Sequence, residues 1–269
     1  MSILTATTTL FVPASRPDRF DKAAGSGAGV VILDLEDAVA TDDKVAARNA
    51  LRTGFTLVPV VMRVNAIGTP WHSDDVAAVR ELHPDGVMVP KAENSTQFHE
   101  LVRTLHAENL AVIALVETAA GLAEIRSIAA TPGVVRLAFG SWDYCADIGA
   151  EHVQDTLLLP RSEMVLASRL AGLPAPIDGV TTAIEDAEQV RADSRYARSL
   201  GFGGKLTIHP KQVAPIHEGF APTAAEVAWA EKVLASGDAA ARVDGLMVDE
   251  PVRIRARAIL GRQTARHSE

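Results

Sequence analysis

Short apolar runs alternate with Ala-rich amphipathic stretches along most of this chain. The most informative run is AVIALVETAAG, residues 111–121, in which six apolar residues lead to a single acid, Glu117. An unbroken apolar run of this length predicts a strand buried on both faces, as in parallel sheets. VVRLAFGSWD, residues 134–143, repeats the design and closes on Asp143. Further strand-like runs cover residues 8–14, 30–37, 58–66, 86–93, 176–181 and 203–210, which makes eight. Helical patterns lie between them at 42–53, 73–82, 95–108, 121–130, 161–171 and 184–200. This β–α cadence predicts an α/β fold, a single (β/α)8 TIM barrel rather than an open sheet.

The cadence stops after Pro210. Pro222-Thr-Ala-Ala-Glu226 then opens a helix with capping-box spacing, Thr223 accepting from the Glu226 amide while Glu226 reaches back. A loop over 244–251 leads into a last helix through Leu260. The expected organisation is therefore a barrel domain over 1–221 and a C-terminal helical extension over 222–269. Being surplus to eight β–α units, the extension is expected to pack on the outside of the barrel or on a neighbouring subunit.

In a parallel α/β barrel the carboxyl ends of the strands form the chemical face. The polar residues closing the runs are Ser15 and Arg16, Glu36 and Asp37, Arg63 and Asn65, Lys91 and Glu93, Glu117, Asp143, Asp178 and His209. All are expected to ring one mouth. Two acids at neighbouring strand ends, Glu117 and Asp143, suit a divalent cation, with Arg and Lys around them for a small anionic substrate. Mg²⁺ takes oxygen ligands and commonly only one or two carboxylates from the protein, so this sparse pair is enough. Zinc fits less well, because the eight histidines show no paired metal-ligand spacing. His99 and His106, seven apart, read as one solvated helix face.

Other candidates divide between functional and structural readings. A guanidinium at Arg63 offers a two-pronged grip on a carboxylate, against an ion pair with Glu36 or Asp37. Lys91 offers a Schiff base if desolvated, against an ion pair with Asp37 or Glu93, the better fit beside a metal. The glycines of residues 25–29 precede their strand, whereas a dinucleotide loop follows one and opens a helix. Cys145 is the single cysteine, has no neighbouring His, and reads as packing.

The 269 residues, 48% of them hydrophobic, supply a large core. A net charge of -8 excludes a general nucleic-acid binder, whose phosphate contacts need surplus Lys and Arg. No stretch reads as a signal peptide or a membrane span. With one cysteine the chain fits a reducing cytoplasm, the expected location.

Eight segments then carry a resemblance: VPASRPDRF (12–20), VILDLEDAV (31–39), RVN (63–65), VPKAE (89–93), ALVETAAG (114–121), FGSWDYCADIG (139–149), IHPKQ (208–212) and MVDEP (247–251). Together, over about 11–260, the chain resembles the citrate lyase beta subunit-like CoA-ester lyases of the HpcH/HpaI aldolase superfamily. The resemblance implies a barrel assembling as a homotrimer or a multiple of it, with Mg²⁺ held by Glu117 and Asp143. It implies Arg63 on the carboxylate or keto oxygen of the substrate and Arg16 near the CoA phosphates. Glu36, Asp37, Lys91, Gly140 and Ser141 complete the expected substrate-binding set, the last two through their amides. Asp249, in the MVDEP loop of an adjacent subunit, is the implied proton-transfer residue. One departure stands out: many relatives carry an acid just before the metal-binding Asp, where this chain has Trp142.

The expected activity is a Mg²⁺-dependent carbon–carbon lyase acting on malyl-, citramalyl-, citryl- or related CoA thioesters, giving an acyl-CoA and a 2-oxo acid. The alternatives are a metal-dependent aldolase on free 4-hydroxy-2-oxo acids, hydrolysis of the thioester after condensation, and a non-catalytic acyl-CoA-binding subunit.

Overall fold

The computed structural model describes residues 2–237 and 241–266; the parts of the expected extension at 238–240 and 267–269 lie outside the described residues. Eight parallel strands close into a barrel in sequence order: β1 Thr8–Pro13, β2 Val30–Asp34, β3 Val60–Arg63, β4 Gly86–Val89, β5 Ala111–Val116, β6 Val134–Phe139, β7 Ile177–Asp178 and β8 Gly204–Thr207. Closure is made where Thr8, Thr9 and Leu10 of β1 pair with Lys205, Leu206 and Thr207 of β8. The TIM barrel expected from the cadence is thus the observed fold.

Alternation along each strand decides what fills the barrel. Val30 and Ile32, Val61, Met88, Ile113 and Leu115, Ala138, Ile177 and Leu206 form one buried cluster, closed below by Ile3 and Ala6. Arg136, two residues before Ala138, is also buried at this lower end. It donates from Nε to Ala175 O (2.9 Å) and from Nη1 to Ile3 O (3.1 Å) and Ala6 O (2.8 Å).

The helices are α1 Phe20–Ala24, α2 Lys44–Asn49, α3 His72–Leu82, α4 Thr96–Ala107, α5 Ala119–Ala123, α6 Ile125–Ala129, α7 Ser141–Ile148, α8 Gln154–Leu170, α9 Ala187–Leu200, α10 Val213–Phe220, α11 Ala224–Ala235 and α12 Glu250–Arg266. Three sequence expectations are corrected. The helix expected at 161–171 begins seven residues earlier, at Gln154, and carries Pro160 inside it. The one expected at 121–130 is two short helices broken at Glu124. Asp143 does not end a strand: β6 stops at Phe139, and Asp143 sits in the first turn of α7. The chain turns at Gly140 directly after the strand, and an acid in the first helical turn is favoured by the helix dipole.

The chain divides into two compact units, Met1–Gly219 and Phe220–Glu269. In the second, α11 starts with the expected capping box on Thr223 and Glu226. The loop expected at 244–251 is partly a hairpin: β9 Ala241–Val243 pairs antiparallel with β10 Leu246–Val248 around Asp244-Gly245, both at positive φ. An Asp-Gly pair of this kind is the usual signal for such a turn. Ala230, Val233, Val248, Ala256 and Ile259 form this unit's own small core.

Candidate active site

The carboxyl ends of β2, β3, β5 and β6 converge on a cavity of about 330 Å³. Glu117, Asp143, Arg63, Asp37, Gly140 and Ser141 line it. Glu117 keeps the inward parity of Ile113 and Leu115, which delivers its carboxylate to the mouth and buries it to 1% exposure. Its Oε1 accepts from the Lys91 amide at 2.9 Å, and Lys91 Nζ stands 3.9 Å away. Lys91 holds a left-handed backbone, φ 47, a conformation of strain for a non-glycine residue and one that turns its amide to Glu117. Oε2 of Glu117 is buried with no hydrogen-bond partner among the described residues.

Burial, then the negative charges of Glu36 and Asp143, push the Glu117 carboxyl up to about 8 despite Arg63 and Lys91. A buried, unsatisfied carboxylate oxygen in the same cavity as a second carboxylate is costly without a cation. Glu117 and Asp143 are therefore the residues fitted to hold one. No group of three or more His, Cys, Asp or Glu among the described residues could form a denser metal site. Sparse carboxylate supply of this kind suits Mg²⁺, which keeps several waters.

Arg63 is held by Asp34, a residue the sequence reading did not single out. Asp34 accepts from Nε and Nη2, both at 2.7 Å, in a buried two-pronged pair. Nη1 stands 2.8 Å from Glu36 Oε2, outside hydrogen-bond alignment, and 3.8 Å from exposed Asp37. The guanidinium also lies over the Phe11 ring, 4.7 Å from its centroid. The expected alternative partners of Arg63, Glu36 and Asp37, are thus secondary to Asp34. The signal was available, since Asp34 and Glu36 share the parity of Val30 and Ile32.

Lys91 pairs with Glu36, Nζ to Oε1 2.6 Å, and not with Asp37 or Glu93 as expected. Glu93 instead accepts from the Thr118 hydroxyl at 2.9 Å. Burial raises Glu36 above the ordinary carboxylate range, outweighing Arg63 and Lys91. Behind it, the buried ammonium of Lys44 donates to Leu35 O, Glu36 O and Asn65 Oδ1, all at 2.7 Å, and fixes the β2 loop. Nothing in the residue pattern separates Lys44 from other helix lysines.

The single ring expected at the mouth is divided into separate groups. Asn65 belongs to the Lys44 network and also donates to Asp75 at 2.6 Å. Arg16 lies in a second cavity, about 550 Å³, with Arg19, Lys22, His209 and Lys211. Its guanidinium is paired with Asp18 at 2.9 and 2.8 Å. Asp178 follows inward-facing Ile177 and so points to the other side of the sheet, toward the helices. There it accepts from Arg161 Nε (2.9 Å) and Lys205 Nζ (3.1 Å). Burial opposes its ionisation, but Lys205 and Arg161 outweigh that and hold it below the ordinary carboxylate value.

Gly140 and Ser141 close the cavity beside Glu117. The Ser141 hydroxyl lies 2.9 Å from His152 Nε2, and Trp142 stacks on the His152 ring at 4.0 Å and 5°. Asp249 belongs to the second unit. It is exposed at the start of α12, its Oδ1 accepting from the Val252 amide at 3.4 Å.

Comparison with known proteins accords with this architecture. Residues 7–210 match the family model described as HpcH/HpaI aldolase/citrate lyase. A citrate lyase subunit beta-like protein of Deinococcus radiodurans is 38% identical over 276 residues, 94% of this chain and 96% of that protein. A (3S)-malyl-CoA thioesterase of Cereibacter sphaeroides is 33% identical over 270 residues, 95% and 94% of the two chains. CitE from Mycobacterium tuberculosis, solved in complex with magnesium, acetoacetate and coenzyme A, superposes with a TM-score of 0.86 at 37% identity, covering 97% of this chain and 98% of its own. A closed eight-stranded barrel, a match through most of its length and identity of this order make the conclusion direct: this chain belongs to the HpcH/HpaI aldolase/citrate lyase family.

Proposed function

We propose that this protein is a Mg²⁺-dependent carbon–carbon lyase that cleaves, or forms, a 3-hydroxyacyl-CoA thioester such as malyl-, citramalyl- or citryl-CoA, with an acyl-CoA and a 2-oxo acid as the other side of the reaction. The observation that carries it is the orphaned, buried Oε2 of Glu117 opposite Asp143, at the mouth of a barrel whose relatives include a magnesium and coenzyme A complex. When bound by Glu117 and Asp143, Mg²⁺ supplies Lewis acidity where negative charge develops on oxygen.

The chain's own groups have the remaining tasks. Arg63, oriented by Asp34, presents Nη1 to the carboxylate or keto oxygen of the 2-oxo acid portion. Lys91 and Glu36 form the cavity's charged flank, Asp37 its exposed rim, and the Ser141 amide meets the acid end; the expected Gly140 amide is already spent on Val116 O at 3.0 Å. Arg16, Arg19, Lys22 and Lys211 give the larger cavity the positive character that CoA phosphates require. Asp249 of a neighbouring copy accepts the hydroxyl proton as the carbon–carbon bond breaks, and a proton returns to the enolate carbon of the leaving acyl-CoA. This assigns the second unit its role, in a homotrimer or a multiple of one. Among the described residues no helix is long and apolar enough to cross a membrane.

The test is to offer malyl-, citramalyl- and citryl-CoA with Mg²⁺ and follow the acyl-CoA and 2-oxo acid by mass spectrometry. Glu117→Gln should slow cleavage by roughly 10²–10³, the loss typical of one electrostatic stabiliser. Cleavage confined to free 4-hydroxy-2-oxo acids would overturn the CoA-ester assignment. The relationship to a (3S)-malyl-CoA thioesterase supports a second reading, in which thioester hydrolysis follows condensation. Release of free CoA from malyl-CoA without a 2-oxo acid would favour it.

A further inference from the structure

A cavity of about 390 Å³ lies apart from the carboxylate pair, lined by Trp142, His152, Arg161, Thr182, Asp193 and Lys205 among others. We propose that it is a second binding site, for a small monocarboxylate carrying a hydroxyl or amino group, seated with its carboxylate on Arg161 and Lys205.

The charge balance of the cavity's inner wall carries this. That wall holds two cations against one carboxylate: Arg161 is 6% exposed, Lys205 1% and Asp178 fully buried. With Asp178 shared between them, the two cations leave this wall one positive charge in excess, which an anion in the cavity would complete. Arg161 uses Nε and Nη2 on Asp178, at 2.9 and 3.4 Å, and Nη1 has no acceptor among the described residues. Lys205 donates to Asp178 at 3.1 Å and to Gly179 O at 2.6 Å. After burial, the same two cations hold the His152 imidazole below its ordinary pKa, a further sign of positive potential.

The other wall has the opposite character. Asp193 accepts from Thr181 at 2.6 Å and from Gln189 at 2.7 Å. A second carboxylate on the ligand would be repelled there, whereas a hydroxyl or ammonium group would be welcome. The pocket therefore selects a short molecule with an anionic head and a hydrogen-bond-donating tail. Trp142 and the Ser141–His152 hydrogen bond form the partition between this pocket and the Glu117 cavity.

The test is isothermal titration of the full-length protein in EDTA, so that it is independent of the metal and of turnover. The probes are 3-hydroxybutyrate and serine, with acetate and succinate as comparisons. Wild type should bind the first two at about 1 mM or tighter, at least about tenfold tighter than either comparison. Arg161→Gln should weaken binding at least about tenfold. Because that variant can fail to fold, Ala183→Trp serves as the second: it fills the cavity, leaves the charged network intact and should abolish binding. Absence of binding by wild type, or binding unaltered in Ala183→Trp, would overturn the proposal. Either result leaves the CoA-ester reaction to be judged by its own assay.

Discussion

Gly140 and Glu117 are in such close contact that no side chain fits between them: a Cβ on Gly140 would stand 2.2 Å from Glu117 Oε2 and 2.5 Å from its Cβ. The clash with Cβ cannot be relieved by rotating the carboxylate alone. Gly140→Ala is expected to displace Glu117 and weaken Mg²⁺ binding at least about tenfold, with about 1–3 kcal/mol of overpacking strain. Calorimetric titration of Mg²⁺ and urea unfolding measure the two effects. Wild-type affinity in this variant would mean that Glu117 does not hold the ion.

Magnesium affinity should depend on pH through Glu117. With its carboxyl pushed up to about 8, the metal-free site carries a proton at neutral pH that a cation must displace. Affinity should rise with pH up to about 8 and then level, with about one proton released per ion at pH 6.5 and almost none at pH 9. Titrations in buffers of different ionisation enthalpy count that proton. Linkage also fixes the sign for stability. The folded value exceeds the unfolded one, so the metal-free protein should lose stability as pH rises from the ordinary carboxylate range through about 8. Glu117→Gln should remove that slope.

The Asp178 network should show the opposite dependence. Its folded carboxyl lies below the ordinary value, so its contribution is present above that value and lost as pH falls through the folded one. Asp178→Asn leaves Arg161 and Lys205 buried without their counter-ion and should cost about 3–5 kcal/mol near neutrality. The gap between wild type and variant should narrow in acid. Urea titrations at neutral pH and in strong acid compare them.

Asp249 offers a test of subunit sharing. Asp249→Asn is expected to abolish turnover while leaving Mg²⁺ affinity unchanged. If the residue serves a neighbour's site, co-assembling Asp249→Asn with Glu117→Gln should restore on the order of a quarter of wild-type activity, since each site needs two intact contributors. Two inactive variants that stay inactive when mixed would mean that Asp249 does not serve a neighbour's site, and full turnover by Asp249→Asn alone would place the proton transfer elsewhere.

The fold was legible because it rests on local periodicity. Eight buried runs with amphipathic spacers can close their hydrogen bonds and cover their apolar faces in few ways, and the barrel is one of them. Glu117 was legible for the same reason, as the one acid in line with an otherwise apolar strand. Asp143 reaches the same cavity without ending a strand, because helix α7 begins two residues after β6.

What the sequence by itself determined is the set of strands, their order, and the placing of Glu117 just past the end of β5. Only the tertiary structure decided the partners: that Asp34 orients Arg63, that Lys91 turns to Glu36, and that Asp178 faces the helices with Arg161 and Lys205. The physical reason is that periodicity is a property of neighbours along the chain. Charge pairing under burial depends on side chains that are tens of residues apart in sequence and meet only when the barrel closes.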